Sequence, residues 1–212
     1  MPHDATPHDR RALVTGATGT IGSAVARDAA ALFRLAETVL GRVDILVNCT
    51  GAYHRGSLLE TGEEQWQELI DVDLHGTRRL IQHAAPAMVQ RGSGRVVNVS
   101  SVAGQRYGEG EGAYGTVKAA VEMLTRAWAV ELAPHGVTVN AVAPGLVWSA
   151  GEAGVDAASS PPACGDVPDR RPADAAEVAS LVRYLISDEA GHVTGQVVNI
   201  DGGLTARLPR PR

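Results

Sequence analysis

Five short apolar runs constrain the fold more than any other feature. They are residues 11–15 (RALVT), 43–48 (VDILVN), 95–100 (RVVNVS), 137–142 (VTVNAV) and 196–200 (QVVNI). Each is short and rich in Val, Ile or Leu, the pattern of a strand buried on both faces. Between them lie longer stretches with helical spacing, at 20–40, 63–90, 113–133 and 175–187. The second of these is expected to be two helices meeting near Gly76. Strands alternating with helices predict an α/β fold, a doubly wound parallel sheet covered on both faces. Residues 150–171 are rich in Ala, Pro, Gly and Asp and read as a loop. Nothing repeats at a fixed period, which excludes a solenoid.

A length of 212 residues suits one domain with a sizeable core. We expect that domain over 11–205, with short tails at 1–10 and 206–212. A net charge of -5 without a basic run argues against nucleic acid as a partner. No apolar run approaches the ~20 residues that span a bilayer, so no membrane association is expected. The first ten residues lack the apolar core of a signal peptide. Cys49 and Cys164 are far apart and suggest no disulfide framework. A cytoplasmic protein is the simplest expectation, with Cys49 a buried, inert thiol.

Two clusters carry chemistry. The first apolar run leads into Thr15-Gly16-Ala17-Thr18-Gly19-Thr20-Ile21-Gly22 and then a helix. Glycines there permit a tight turn and let a phosphate approach the backbone, while the helix start offers free N–H groups. Such a turn can also be a plain strand-to-helix link. The second cluster is Asn98-Val99-Ser100-Ser101 followed by Tyr114-Gly115-Thr116-Val117-Lys118. Tyr114 and Lys118 are four apart and share a helix face. An ammonium beside a phenol stabilises the phenolate, so the pair can exchange a proton with a carbonyl or alcohol oxygen near neutral pH. A bare Tyr-x-x-x-Lys also arises by chance on amphipathic helices.

Together these motifs resemble the short-chain dehydrogenase/reductase family over about residues 11–205. The resemblance implies a Rossmann-like sheet and an NAD- or NADP-dependent oxidoreductase. Such an enzyme interconverts a small-molecule carbonyl and a secondary alcohol by hydride transfer. It implies catalytic roles for Tyr114, Lys118 and Ser101, the last chosen over Ser100 for its 13-residue distance from Tyr114. The cofactor would be held by Gly16, Thr18, Gly19, Ile21, Gly22, Asn48, Gly51, Tyr114, Lys118, Pro144, Gly145, Val147 and Ser149. Ser149 stands where the family usually has a Thr. Asn140-Ala141-Val142-Ala143-Pro144-Gly145 matches a strand end near the nicotinamide. Val193-Thr194-Gly195-Gln196 and Asp201-Gly202-Gly203 match a structural last strand and turn. No metal is implied. A homodimer or homotetramer through the Tyr-Lys helix is expected; its apolar face, including Met123, Leu124 and Trp128, fits such a contact and fits an intrachain core equally.

The sequence departs from the family in four places. The glycines follow Gly-x-x-Gly-x-x-Gly, with Thr20 at the usual middle glycine, a spacing closer to the extended branch. Asn48-Cys49-Thr50-Gly51 stands for Asn-Asn-Ala-Gly. Asp73, in Asp71-Val72-Asp73-Leu74, stands for a catalytic Asn, and as a carboxylate it can accept but not donate hydrogen bonds. It could pair with Lys118, relay protons, or be a solvated helix residue. The largest departure is the apparent deletion of the second and third strands, which normally choose between NAD and NADP and flank the adenine. Strand 1 then becomes an edge beside the VDILVN strand. A right-handed connection between those two strands puts its helix on the face opposite the family's first helix. A single helix over 20–40 would also overshoot the sheet or break near 28–33. The alternative function is a non-redox or inactive homologue, a lyase, cyclase or partner subunit, that has lost tight dinucleotide binding.

Overall fold

The computed structural model describes residues 10–16, 29–148 and 164–207. The expected terminal tails, apart from residues 10, 206 and 207, lie outside these residues. So do Thr18, Gly19, Ile21 and Gly22 of the glycine turn, and Ser149 with most of the expected loop. The described chain runs β1 (Ala12–Thr15), α1 (Ala29–Leu40), β2 (Ile45–Asn48), α2 (Glu63–Leu69), a π turn (Ile70–His75) and α3 (Gly76–Arg91). It continues through β3 (Gly94–Val99), α4 (Gly112–Leu132), β4 (Val137–Pro144), β5 (Val147–Trp148), β6 (Ala173–Asp174), α5 (Ala175–Ile186) and β7 (Val197–Ile200). The main sheet is parallel, in the order β1-β2-β3-β4-β7, and β5 pairs with β6 separately.

Alternation along the strands assigns the helices to faces. Leu13, Leu46, Val96, Val137 and Val139 join Ala36, Ile81, Met88, Ala129 and Leu132 in one core, so α1, α3 and α4 cover one face. Val97, Val99 and Val142 pack with Val178, Leu181 and Leu185 of α5 on the other. Every step from β1 to β7 moves the same way across the sheet. The connections carrying α1, α3 and α4 therefore share one hand, and the connection carrying α5 has the opposite hand. Right-handedness is the general rule for such crossovers. The exception contains the long excursion through β5 and β6, which gives the chain the length to change face.

α1 lies on the same face as α3 and α4, so the step from β1 to β2 has the same hand as the two steps that follow it. Its 12 described residues span ~18 Å, close to the length of the neighbouring strands. Among the described residues β1 is the sheet edge, as expected, and Val14 there is 48% exposed, whereas all four residues of β2 are buried. The helical stretch at 63–91 is continuous rather than two separate helices; a π turn at Ile70–His75 replaces a break at Gly76. At the rim where the strands begin, arginines serve helix ends. Arg11 reaches the Leu40 carbonyl, Arg10 the Ile186 carbonyl and Asp188, and Arg91 the Val43 carbonyl at 2.7 Å. The Leu40 and Ile186 carbonyls are ones that a helix C-terminus leaves unpaired, while Val43 lies in the link between α1 and β2.

Leu46 is fully buried in the core beneath α3. Leu46→Ala should lower unfolding free energy by about 2–5 kcal/mol in a denaturant titration. Val14→Ala at the open edge should change it by no more than about 0.5 kcal/mol. Equal losses would contradict the edge position of β1.

Candidate active site

The register of the sheet builds the site. Thr15 pairs with Asn48, Asn48 with Asn98, Asn98 with Ala141, and Ala141 with Val197, one row across all five strands. Just beyond this row the chain leaves the sheet at Gly16, Cys49, Ser100 and Gly145. Residues distant in sequence thus meet at one carboxyl rim, where α/β sheets bind ligands.

Within the row, Asn48 Nδ2 donates to Asn98 Oδ1 at 2.8 Å, and Asn98 Nδ2 donates to Thr125 Oγ1 of α4 at 2.9 Å. Thr125 in turn donates to the Val121 carbonyl. All three polar residues are buried. This chain fixes α4 against the strand ends. The sequence reading placed Asn48 at the site but missed Asn98 and Thr125. The repeated Asn at the ends of two strands was the available signal.

Ser101 caps a short 3-10 turn, Val102–Gly104, and its Oγ accepts from Ala103 N–H at 3.2 Å. That turn lies directly on α4. A Cβ on Gly115 would come within 2.5 Å of the Ala103 carbonyl oxygen, and one on Gly104 within 2.9 Å of the α4 backbone. The glycine inside Tyr114-Gly115-Thr116-Val117-Lys118 therefore permits the close approach of the Ser101 turn. Ser100 is used structurally instead: its Oγ faces the Lys118 carbonyl at 3.3 Å and the buried Glu122 carboxylate at 3.2 Å.

Tyr114 and Lys118 share one face of α4, with Nζ 5.5 Å from the ring centre. Lys118 is buried, and its Nζ also donates to the Val99 carbonyl at 3.2 Å. Asp73 is not a solvated helix residue. It is 1% exposed, and its Oδ1 lies 2.5 Å from Lys118 Nζ. The contact is an ion pair and not an aligned hydrogen bond, since Oδ1 has no partner of hydrogen-bond geometry. Oδ2 accepts from Ala52 N–H at 2.8 Å. The π turn carries Asp73 to this position; such turns re-aim side chains where a regular helix would not. Gly51 leaves room for the pair, because a Cβ there would sit 3.1 Å from Asp73 Oδ1 and 3.3 Å from Lys118 Nζ. Burial alone would depress the Lys118 ammonium. The Asp73 carboxylate, with weaker pulls from Tyr114 and Cys49, outweighs burial and holds Lys118 above its usual value.

Two neighbours were not foreseen. Tyr53 meets the Tyr114 ring edge-on, with centres 5.0 Å apart, and its hydroxyl donates to Glu111 at 3.1 Å. Burial, then the Glu111 hydrogen bond and charge, raise the Tyr53 phenol. Cys49 corrects an expectation: it is exposed, not buried. Its thiol is still pushed up by the partial burial of its surroundings, against the pull of Lys118, so it is not an activated thiolate.

Of the remaining expected cofactor residues, Gly16 takes a left-handed φ of 75° and lies against the Cys49-Thr50 backbone, where a Cβ would clash at 2.6 Å. Gly145 accepts similar crowding from Asp201 and donates its N–H to the Ile200 carbonyl. Pro144 ends β4, and Val147 lies in β5, partly exposed. A cavity of about 10 Å³ beneath the turn is lined by Thr15, Asn48, Thr50 and Thr77, among others. Asn48 Oδ1 and Thr50 Oγ1 are buried without partners there. The rim around Lys118, Asn48 and Gly51 has the open backbone and donors that a nicotinamide riboside needs. No strand lies outside β1 among the described residues to flank an adenine. The Asn140 side chain bonds the Val193 carbonyl and the Gln196 N–H, which makes the Val-Thr-Gly-Gln motif structural.

This geometry has close counterparts. Residues 22–205 match the family model of the enoyl-(acyl carrier protein) reductases. The 3-oxoacyl-[acyl-carrier-protein] reductase FabG of Thermotoga maritima is 39% identical over 77% of this chain and 67% of its own length. The short-chain reductase protein NovJ of Streptomyces niveus is 38% identical over 94% of this chain and 82% of its own. Among solved structures, acetoin dehydrogenase YohF of Salmonella typhimurium superposes with a TM-score of 0.79 at 34% identity, covering 87% of this chain and 74% of that one. The chain belongs to the short-chain dehydrogenase/reductase family.

Proposed function

We propose that the protein reduces a ketone to a secondary alcohol with Tyr114 as the proton donor. It is an NAD(P)-dependent oxidoreductase of the carbonyl/alcohol class. The observation that carries the catalytic assignment is the common placement of Tyr114 and Lys118 on one face of α4, with Nζ 5.5 Å from the ring centre and close to Gly51. Ser101 orients the substrate oxygen: its Oγ lone pair is engaged by Ala103 N–H, which leaves its own proton to donate. The bound dinucleotide supplies the hydride. Tyr114 gives the oxygen its proton, with the Lys118–Asp73 pair beside its ring.

Asn48, Gly51, Tyr114, Lys118, Pro144, Gly145 and Val147 would hold the nicotinamide half of the cofactor, with the Gly16–Gly22 turn at the pyrophosphate. With no strand outside β1 among the described residues, the adenine half has fewer contacts, so binding is weaker than in a relative with those strands. A neighbour at 28% identity and TM-score 0.76, ElxO, is a structure with NADP bound, which makes NADPH the first cofactor to test. The relatives' names, a 3-oxoacyl reductase and an acetoin dehydrogenase, make a small ketone the first substrate class. Met123 and Val130 leave an apolar flank of α4 exposed, the surface through which we propose a homodimer or homotetramer forms.

Calorimetric titration with NADPH and with NADH should show binding in the micromolar to sub-millimolar range. No heat at millimolar cofactor would sink the reductase reading and favour the non-redox or inactive alternative. In a ketone screen, Tyr114→Phe should lower kcat about 10²- to 10⁴-fold, the usual worth of a general acid, and leave dinucleotide affinity nearly unchanged. Full activity in that variant would remove Tyr114 from the mechanism.

A further inference from the structure

The Asp73–Lys118 pair puts a full negative charge beside the cation that faces Tyr114. We propose that Asp73 is a positioning residue that cancels the charge of Lys118, keeps Tyr114 a proton donor at neutral pH, and so biases the site toward carbonyl reduction, with alcohol oxidation setting in only in alkaline solution. This rests on the reading of Tyr114 as the proton donor.

Three observations carry it. The carboxylate and ammonium are 2.5 Å apart and both buried, so water screens neither. Of the ammonium's three N–H bonds, one is directed to the Val99 carbonyl, and the nearest anion is Asp73. The pair is held in place from outside: Ala52 N–H fixes Asp73 Oδ2, the π turn sets the backbone, and Gly51 has no side chain to wedge between the partners. At Tyr114, 5.5 Å from Nζ, the field of the cation is thus opposed by that of an anion 2.5 Å from the same Nζ. Coulomb energy in a protein interior falls slowly enough that both charges are felt over such distances.

The other groups around the phenol do not restore a net positive charge. Tyr53 faces the Tyr114 ring from the loop after β2 and is neutral, with its proton held by Glu111 at the start of α4. Glu111 is a second anion on that side. Cys49, from the end of β2, acts on Lys118 and is not ionised at neutral pH. Arg55 acts on Tyr53 from the loop after β2 and is the one further cation in the set. The Lys118–Asp73 pair itself persists across neutral pH. A lysine raised in the folded state contributes stability below its unfolded value of ~10.4 and loses it only as pH climbs past the folded value.

The chemistry gives the bias a direction. Reduction consumes one hydride, delivered to carbon by NAD(P)H, and one proton, delivered to oxygen by the phenol. The C=O π bond becomes a C–H and an O–H bond. Oxidation runs the same bonds backwards and needs the phenolate to take the proton. A site whose cation is already neutralised presents the phenol and withholds the phenolate.

The test is an alkaline titration of phenolate absorbance on the whole protein without substrate. The Tyr114 component is identified as the one missing in Tyr114→Phe. Asp73→Asn should move its midpoint down by about one pH unit or more, and the alkaline onset of alcohol oxidation should move down with it. An unmoved or raised midpoint overturns the proposal. Should Asp73→Asn fail to fold by circular dichroism, the double variant Asp73→Asn/Lys118→Gln replaces a neutral pair with a neutral pair. Its midpoint should stay within a few tenths of a unit of the parent. A rise of a unit or more would mean that the Lys118 charge reaches Tyr114 despite Asp73, and would equally overturn the proposal. A shift in the absence of any ketone reduction would retire the functional reading and leave the charge coupling standing. Reduction with no shift would do the reverse.

Discussion

A buried ammonium is the constraint around which the rim is organised. Lys118 is 4% exposed, and an unpaired charge at such depth is untenable, because desolvation costs several kcal/mol for each ion. Its burial therefore demands an anion, and Asp73 is delivered by a π turn that a regular helix would not supply. It demands space, which Gly51 provides by lacking a Cβ. It demands a further acceptor, which the Val99 carbonyl offers at the very end of β3. Four segments of chain are thereby tied to one amine: the end of β3, the loop after β2, the helix at 63–91 and α4. Rigidity here comes with a cost in options, since an ammonium committed to a carboxylate supports a neighbouring phenolate less than a free one would.

The parallel register does the same work for the polar row beneath. Asn48 and Asn98 are adjacent across β2 and β3 because the strands pair in register, and only then can an amide on one accept from the other and pass the constraint to Thr125. A slip of one residue would turn Asn98 toward α5 and Val97 toward α4. The hydrophobic alternation that sorts Val96 from Val97 thus also aims the site.

Much of this was legible in the sequence. The five strands, their parallel pairing and the edge position of β1 followed from apolar runs and from the missing segment. Tyr114, Lys118 and Ser101 stood out by spacing, and all three lie at the carboxyl rim. What escaped depended on contacts between distant segments. Whether Asp73 was solvated or paired turned on where a π turn would place it, and no local propensity encodes that turn. Cys49 read as a buried thiol from its apolar neighbours, yet it follows the last buried residue of β2 and is exposed. Asn98 and Thr125 are ordinary residues until the strands are laid side by side. Tyr53 gained meaning only when its loop was seen to meet Tyr114.

The open edge of β1 then separates two halves of the problem. The cluster of Tyr114, Lys118, Asp73 and Ser101 is built by residues 43–207, on β2, β3, β4 and the helices between them. β1 contributes Thr15 and Gly16 to the rim, and the helix after it sits on the face of α3 and α4, packed through Ala36 and Leu40. That placement gives the step from β1 to β2 the same hand as the two that follow it across the sheet. The Lys118–Asp73 pair and the Asn48–Asn98–Thr125 row are thus held by buried segments, whereas β1, the outermost described strand, leaves Val14 to solvent.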